Sequence, residues 1–324
     1  MFYSDPIYGT HELTEPVLLD LMNTQAMQRA RGVLQHGVTA LIGITVPTTR
    51  FDHSMGVMLL VRWLGGRLEE QIAALLHDVS HTAFSHVIDY VFDGHDTQSY
   101  HEEKKLEFVS STDIPVTLEK HGYNWLDFMD ETKFSLLEQD LPHLCADRLD
   151  YFLRDARDLG LAGDDEIAST LRHLRAFEGQ IVTDDVDSAR WLGYTFIAAD
   201  KASWANFREV GLYELAARAI RRGLKIGVID ETDLWGTDLP TWQKLLECND
   251  SRLQYDIQRV HTDTGFEWNE SDPDFLVSTK LRAIDPDLLL NGIVQPLSSI
   301  DPDFAKHRVE YLEKNSGKWP MRVI

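Results

Sequence analysis

The chain has 324 residues, 43% hydrophobic and 26% charged, an ordinary globular composition with room for one large domain or two modest ones. Its 53 acidic and 31 basic residues leave a net charge of −22, which opposes nucleic-acid binding because Lys and Arg neutralising phosphates supply most non-specific affinity. No run of about 18 apolar residues is present, the start lacks a basic segment with an apolar core, and Cys145 and Cys248 form no disulfide framework or CxxC pattern. A reducing cytoplasmic compartment and no membrane partner are therefore expected.

Residues 12–40 read as helix, with Leu18, Leu19, Leu21 and Met22 spaced for one buried face. The proline and threonines of TVPTTR (45–50) place a loop before two helices, 51–64 and 68–92, split by Gly65-Gly66-Arg67. Residues 93–99 read as loop and 100–111 as helix. The stretch 134–159 is again helical, with Asp140-Leu141-Pro142 as a helix start, and a further helical run covers 188–223. Past 225 short β-prone pieces are broken by Asp-Pro and Asn-Gly signals. Asp-Pro-Asp recurs at 272–274, 285–287 and 301–303 with unequal spacing, which is repeated turn chemistry rather than a structural repeat. The expected fold is mainly α: a helical core over 1–225 and a smaller mixed α+β lobe over 226–324. Strand and helix do not alternate as a βαβ fold requires.

Chemistry concentrates in IAALLHDVSHTAFSH (72–86). In a helix His77 and Asp78 stand about 100° apart, so both lean toward one point only at the helix edge, and His81 follows His77 one turn later. A divalent cation takes imidazole and carboxylate ligands from several elements, and keeps open positions when it is catalytic. His53 in RFDHS (50–54) and Asp147 in ADRLDYFLRD (146–155) complete a His, His-Asp, Asp set from three helices. The ordinary alternative is a capping or core histidine beside a chance His-Asp dipeptide. The placement of each member beside a helix rich in Leu, Phe and Met favours the metal.

The order H…HD…D, with TRFDHSMGV (49–57), LLHDVSHTAFSH (75–86), YHEEK (100–104), ADRLDYFLRDARDLGL (146–161) and KLRAIDP (280–286), resembles the HD-domain metal-dependent phosphohydrolase superfamily. More narrowly it resembles the deoxynucleoside-triphosphate triphosphohydrolase (dNTPase) branch, over nearly the whole chain. The resemblance implies an HD-domain helical bundle holding one divalent ion through His53, His77, Asp78 and Asp147. Mixed N/O ligands suit Mn, Mg, Fe, Ni or Zn. It further implies His81 as general acid or base beside the scissile phosphate, assisted by His101 with Glu102 next to it, and Arg50 on phosphate oxygens. Gln35, Arg148, Tyr151 and Asp155 match positions that contact the sugar and phosphates of a nucleotide.

Residue chemistry agrees with those roles. Phosphoryl transfer needs positioning and charge neutralisation more than covalent help, and Arg50 and Arg148 put local positive charge into an acidic chain. Arg148 has an ordinary alternative as a surface partner of Asp150 or Asp155, and Tyr151 as helix core. Arg154 and Arg157 read as a solvated helix face. His86 and His95 read as structural or exposed.

Three departures from the family pattern stand out. Regulated members carry an aspartate ahead of a Gln-x-x-Arg pair; here Gln28 and Arg31 are kept but Asn23 replaces the acid, and an amide cannot accept two hydrogen bonds from guanine as a carboxylate does. Gly211 and Tyr213 stand where the family has a Val-Tyr-x-x-His-like stretch. The chain ends soon after IDPDFAKHRVEYL (300–312), so a homodimer is expected rather than a tetramer. The expected activity is hydrolysis of a small-molecule nucleotide or other phosphate ester, dNTP to deoxynucleoside and triphosphate. Two alternatives are a di-iron HD-fold oxygenase, with His81, His86 and His101 as extra ligands, and a non-catalytic nucleotide-binding module.

Overall fold

The computed structural model describes residues 1–94 and 96–324; His95 lies outside them. A hairpin of β1 (Phe2–Asp5) and β2 (Gly9–Glu12) leads into α1 (Pro16–Met22), α2 (Gln25–Arg29) and α3 (Val38–Leu41). The helix expected over 12–40 is therefore divided. Asn23 ends α1, Thr24 caps α2 by accepting from the Met27 N–H, and Gly37 leaves helical space at φ 51°.

Next, α4 (Arg50–Trp63) opens on a reciprocal cap: Thr49 accepts from the Asp52 N–H and the Asp52 carboxylate reaches back to the Thr49 N–H. Burial on almost every side of α4 comes from packing on α5 (Leu68–Leu76) and on α9 (Ala146–Asp158). The helix expected over 68–92 stops at Leu76. Residues 77–86 form turns, with Phe84 and Ser85 at positive φ (68° and 47°), and α6 (Val87–Val91) resumes after them. Two helices follow, α7 (Tyr100–Ser110) and α8 (Ile114–Lys120).

The helix expected over 134–159 is also shortened, beginning at Ala146 rather than at Asp140-Leu141-Pro142, whose Leu-Pro bond is cis. Tertiary bonds claim the backbone there: the Leu136 N–H donates to Glu70 and the Ala146 N–H to the Leu136 carbonyl, both at 2.8 Å. Beyond it come α10 (Asp164–His173), β3 (Leu174–Phe177), β4 (Gln180–Thr183), α11 (Val186–Ala202) and α12 (Phe207–Ile226). The run expected over 188–223 is thus two helices, because Asn206 accepts from the Arg208 and Glu209 N–H groups and starts α12 afresh.

The remainder mixes α13 (Glu231–Leu234), α14 (Asp238–Leu246), α15 (Ser251–Ile257), β5 (Phe266–Trp268), β6 (Phe275–Val277), β7 (Asp287–Leu290), β8 (Ile293–Pro296), α16 (Pro302–Asn315) and β9 (Trp319–Val323). Asn291-Gly292, both at positive φ, form the two-residue turn between β7 and β8. Asp301, from the third Asp-Pro-Asp, caps α16 with Pro302 at its first position. Strands run in the orders β1-β2, β3-β4-β7-β8 and β5-β9-β6, with β4 and β7 parallel. The second sheet joins residues on either side of position 225. The chain is mainly α with small sheets, and among the described residues no helix is long and apolar enough to cross a membrane.

Two large apolar clusters form the core, one around α4, α5, α9 and α11 and the other around α6, α12 and the last strands. Tyr151 packs on the first, Val210 belongs to the second, and both wall the same pocket.

Candidate functional site

Four acceptors converge from α4, from the turn after α5 and from the first turn of α9. His53 Nε2 lies 2.9 Å from Asp147 Oδ1, 3.3 Å from His77 Nε2 and 3.5 Å from Asp78 Oδ2. His77 Nε2 lies 3.4 Å from Asp147 Oδ1 and 3.5 Å from Asp78 Oδ1. The far side of each ring fixes its tautomer: the His53 Nδ1–H donates to Asp150 Oδ2 and the His77 Nδ1–H to the Ala74 carbonyl, each at 2.7 Å. Two imidazole lone pairs and two carboxylates therefore face one another, and the donor that reaches them is the Arg50 guanidinium on Asp78 Oδ2. Only protons or a cation relieve that arrangement, and the mixed N/O set fits a divalent ion.

The electrostatics report the same potential. Burial alone would lower His77, but Asp78 and Asp147 beside it hold it up to about 10. Burial pushes Asp78 and Asp147 up, yet His77 and Arg50 hold the first, and His53 and His77 the second, well below the carboxylate range.

Behind the ligands sits a support that the sequence reading missed. Asp150 is fully buried, takes the His53 Nδ1–H, and pairs with Arg154, whose Nη2 also reaches Asp5 at 2.7 Å. Arg154 is thus a buried strut, not part of a solvated face; only Arg157, paired with Asp164, is exposed as expected. Gly56 makes the contact possible, since a Cβ there would stand 2.0 Å from both Arg154 Nη2 and Asp150 Oδ1. The available signal was the i, i+3 and i, i+4 spacing of Asp147, Asp150 and Arg154 on one helix face.

Above the cluster opens a pocket lined by Gln35, Arg50, Asp78, His81, His101, Glu102, Asp147, Arg148, Tyr151 and Asp155, with His53 and His77 beneath it. His81 stacks on His101 at 3.7 Å, and its Nε2 lies 3.3 Å from Asp78 Oδ1. His81 is buried and His101 mostly so; burial together with Arg50 keeps His81 well below the usual imidazole range, and burial takes His101 down to about 3. His81 lies in a turn, so its approach to Asp78 comes from the fold of 77–86 rather than from a helix face. His86, read as structural or exposed, lines the pocket with its ring 5.0 Å from His81. Arg50 points into the cluster: Nη1 lies 2.5 Å from Asp78 Oδ2 and Nε donates to Ser85 at 3.0 Å. Arg148 is buried, bound to the His143 and Gln139 carbonyls and to Glu138.

Farther along, Asp155 is held by His36 at 2.9 Å and by Trp204 Nε1 at 2.6 Å. Of the two α12 residues at the family's Val-Tyr position, Tyr213 reaches the pocket and Gly211 packs under Phe266 and Met321. His36, Glu138, Trp204, Glu209, Lys280 and Arg282 also line it. Lys280 and Arg282 lie in the KLRAIDP motif, which carried their signal; Glu138 enters through its pair with Arg148, Trp204 through its bond to Asp155, and Glu209 through the packing of α12 on α3. On the surface, Asn23 turns back to the Leu19 carbonyl while Arg31 donates to Gln28.

Residues 50–155, from Arg50 to Asp155, match the HD domain family. The metal-dependent phosphohydrolase cns2 of Cordyceps militaris is 36% identical over 322 residues, 95% of this chain and 91% of its own. The deoxynucleoside triphosphate triphosphohydrolase SAMHD1 of Danio rerio is 37% identical over 105 residues, 28% of this chain and 17% of that protein. A solved structure of a hypothetical protein from Aquifex aeolicus shares the fold, with a TM-score of 0.69 at 22% identity over 94% of this chain and 93% of that one. Because the first relative aligns along almost the full length of both chains and the domain match brackets the converging ligands, the chain belongs to the HD-domain metal-dependent phosphohydrolase family.

Proposed function

We propose that this phosphohydrolase acts on nucleotides, cleaving a dNTP to deoxynucleoside and triphosphate, with His53, His77, Asp78 and Asp147 holding one divalent ion. The observation that carries the reading is the joining of a cluster of two imidazoles and two carboxylates to a pocket lined by arginines, a lysine and aromatic rings. The partial likeness to a dNTP triphosphohydrolase supports the substrate class. A divalent ion held there supplies Lewis acidity toward a phosphoryl oxygen and a nucleophile at neutral pH. Arg50 neutralises Asp78 and presents a guanidinium to phosphate oxygens, and Arg148 adds fixed charge beside Asp147. His81, stacked on His101, is the proton-transfer group, and Glu102 stands at the pocket mouth. Tyr151 offers a flat wall for the sugar, and Gln35 and Asp155 line the pocket beside it. A homodimer is the proposed assembly, measurable by light scattering.

Purified protein with Mn²⁺ or Mg²⁺ and a nucleotide panel tests the reading. Triphosphate release is expected, and absence of any phosphate or triphosphate release would count decisively against it. The grouping of Asp78, His81 and His101 favours a second reading, a two-ion oxygenase. Against it, the Arg50 guanidinium on Asp78 sets a permanent positive charge beside that second position. Two irons per chain would decide for the oxygenase, one ion for the hydrolase.

A further inference from the structure

The pocket has two chemically different ends. Helix α9 presents Asp147, Tyr151 and Asp155 at four-residue steps, so eight residues, about 12 Å of helix, separate the first from the last. Near Asp147 the charge is positive: Arg50 lies on Asp78, Arg148 adjoins Asp147, and Lys280 stands close to Arg148. Near Asp155 the cationic partner is the His36 imidazole, which burial would lower but Asp155 beside it raises, and it is spent on that pair. One oxygen of Asp155 is held by His36 and the other by Trp204, so its own scaffold occupies it.

What still faces the cavity there is a pair of acceptors. Gln35 Oε1 is buried with no hydrogen-bond partner. Glu209, in the first turn of α12, is 8% exposed; it lies near His36 and Thr39 and accepts from Ser203 Oγ at a long 3.5 Å. Burial pushes its carboxyl up to about 7. The walls are flat: Trp204 meets Tyr151 edge to face at 4.8 Å, and Tyr213 is pinned by its hydroxyl to the His36 carbonyl at 2.8 Å. A buried acceptor left without a donor, as Gln35 Oε1 is, costs free energy, and Glu209 is only weakly held, so an aromatic slot of this kind is completed by a planar group that brings N–H donors.

We propose that this end is a base subsite selecting nucleotides whose base carries an exocyclic amine, with Gln35 Oε1 and the Glu209 carboxyl as its acceptors. The inference rests on the nucleotide reading above and adds the class of base.

Calorimetry on the metal-free protein with two matched pairs of probes tests it: dATP against its analogue lacking the 6-amino group, and dGTP against dITP, which lacks the 2-amino group. The amine-bearing member of at least one pair is expected to bind about tenfold tighter or more. Glu209→Ala brings that ratio close to one while the amine-free probe still binds, which also reports a folded pocket. Glu209→Gln, which keeps an acceptor oxygen, retains most of the ratio. Should Glu209→Ala not fold, Gln35→Leu decides in its place, and an unchanged ratio there overturns the proposal. Equal affinities within both wild-type pairs, or a ratio that survives Glu209→Ala, overturn it as well. Nucleotide hydrolysis without amine preference removes the base subsite alone; no binding and no hydrolysis of any nucleotide removes the nucleotide reading and the subsite with it.

Discussion

At His53 the two ring nitrogens have separate tasks: Nδ1 is tied to Asp150, and Nε2 is left for the ligand cluster. Asp150 therefore controls the orientation of a ligand it does not join. Asp150→Asn is expected to lower metal affinity 10–100-fold, the usual effect of losing a hydrogen-bonded support behind a ligating histidine. It also removes a countercharge from buried Arg154, at a cost on the order of 3 kcal/mol. Metal titration and chemical denaturation on one preparation check both. Arg50 behaves differently, because it touches Asp78 but also faces the cavity. Arg50→Ala is expected to keep the ion and lose on the order of 10²–10³ in hydrolysis rate, with Arg50→Lys recovering only part, since a point charge does not reproduce the guanidinium fork. Wild-type turnover in Arg50→Ala would remove the phosphate role.

Between elements, close approach decides where the site residues stand. Gly37 has φ 51°, and a Cβ there would sit 2.4 Å from the Phe84 carbonyl oxygen, a backbone atom that cannot yield easily. The contact joins the segment carrying Gln35 and His36 to the turn carrying His81 and His86. Gly37→Ala is expected to cost roughly 2–4 kcal/mol and to lower hydrolysis in the protein that remains folded; denaturation curves and turnover read it, and a neutral effect would show the contact to be loose. Farther out, Asp200 at the end of α11 accepts from the Tyr311 hydroxyl of α16 at 2.7 Å and from the Arg282 N–H at 2.8 Å. Its other oxygen is buried without a partner, and burial pushes its pKa up to about 6. A raised carboxyl contributes its stability below the unfolded value near 3.8 and loses it as pH rises through about 6. Asp200→Asn abolishes that titration, so its stability relative to the parent is expected to improve by about 2–3 kcal/mol between pH 4 and pH 7. Parallel pH profiles in the two proteins would show that Asp200 carries no such penalty.

Over the whole molecule, two large apolar cores carry the fold and the ligand cluster lies beside them. The metal is thus expected to be needed for catalysis and not for folding. Asp78→Ala, or chelation of the parent, should abolish metal retention and hydrolysis while circular dichroism keeps its helical signal, with a melting temperature lowered only by the lost binding free energy. Wild-type metal content in Asp78→Ala would undo the ligand assignment, and unfolding on chelation would make the ion structural.

The helix over 51–64 was legible because the proline and threonines of 45–50 mark a loop before it and its apolar residues run unbroken into the core. The Asn-Gly turn was legible for the same reason, a few adjacent residues settling local geometry, whereas Asp301-Pro302, read as turn chemistry, caps α16. The convergence of His53, His77-Asp78 and Asp147 could be expected too, because their residue types and order are written in the chain. The turn at 77–86, the shortened α9 and the break between α11 and α12 could not, because backbone groups there are claimed by partners far away in sequence, such as Glu70 for the Leu136 N–H. Asp150, His36 and Glu209 escaped notice on similar grounds. A lone carboxylate or imidazole becomes part of a site only when packing strips it of water and sets its partner, and that is decided by which helices meet.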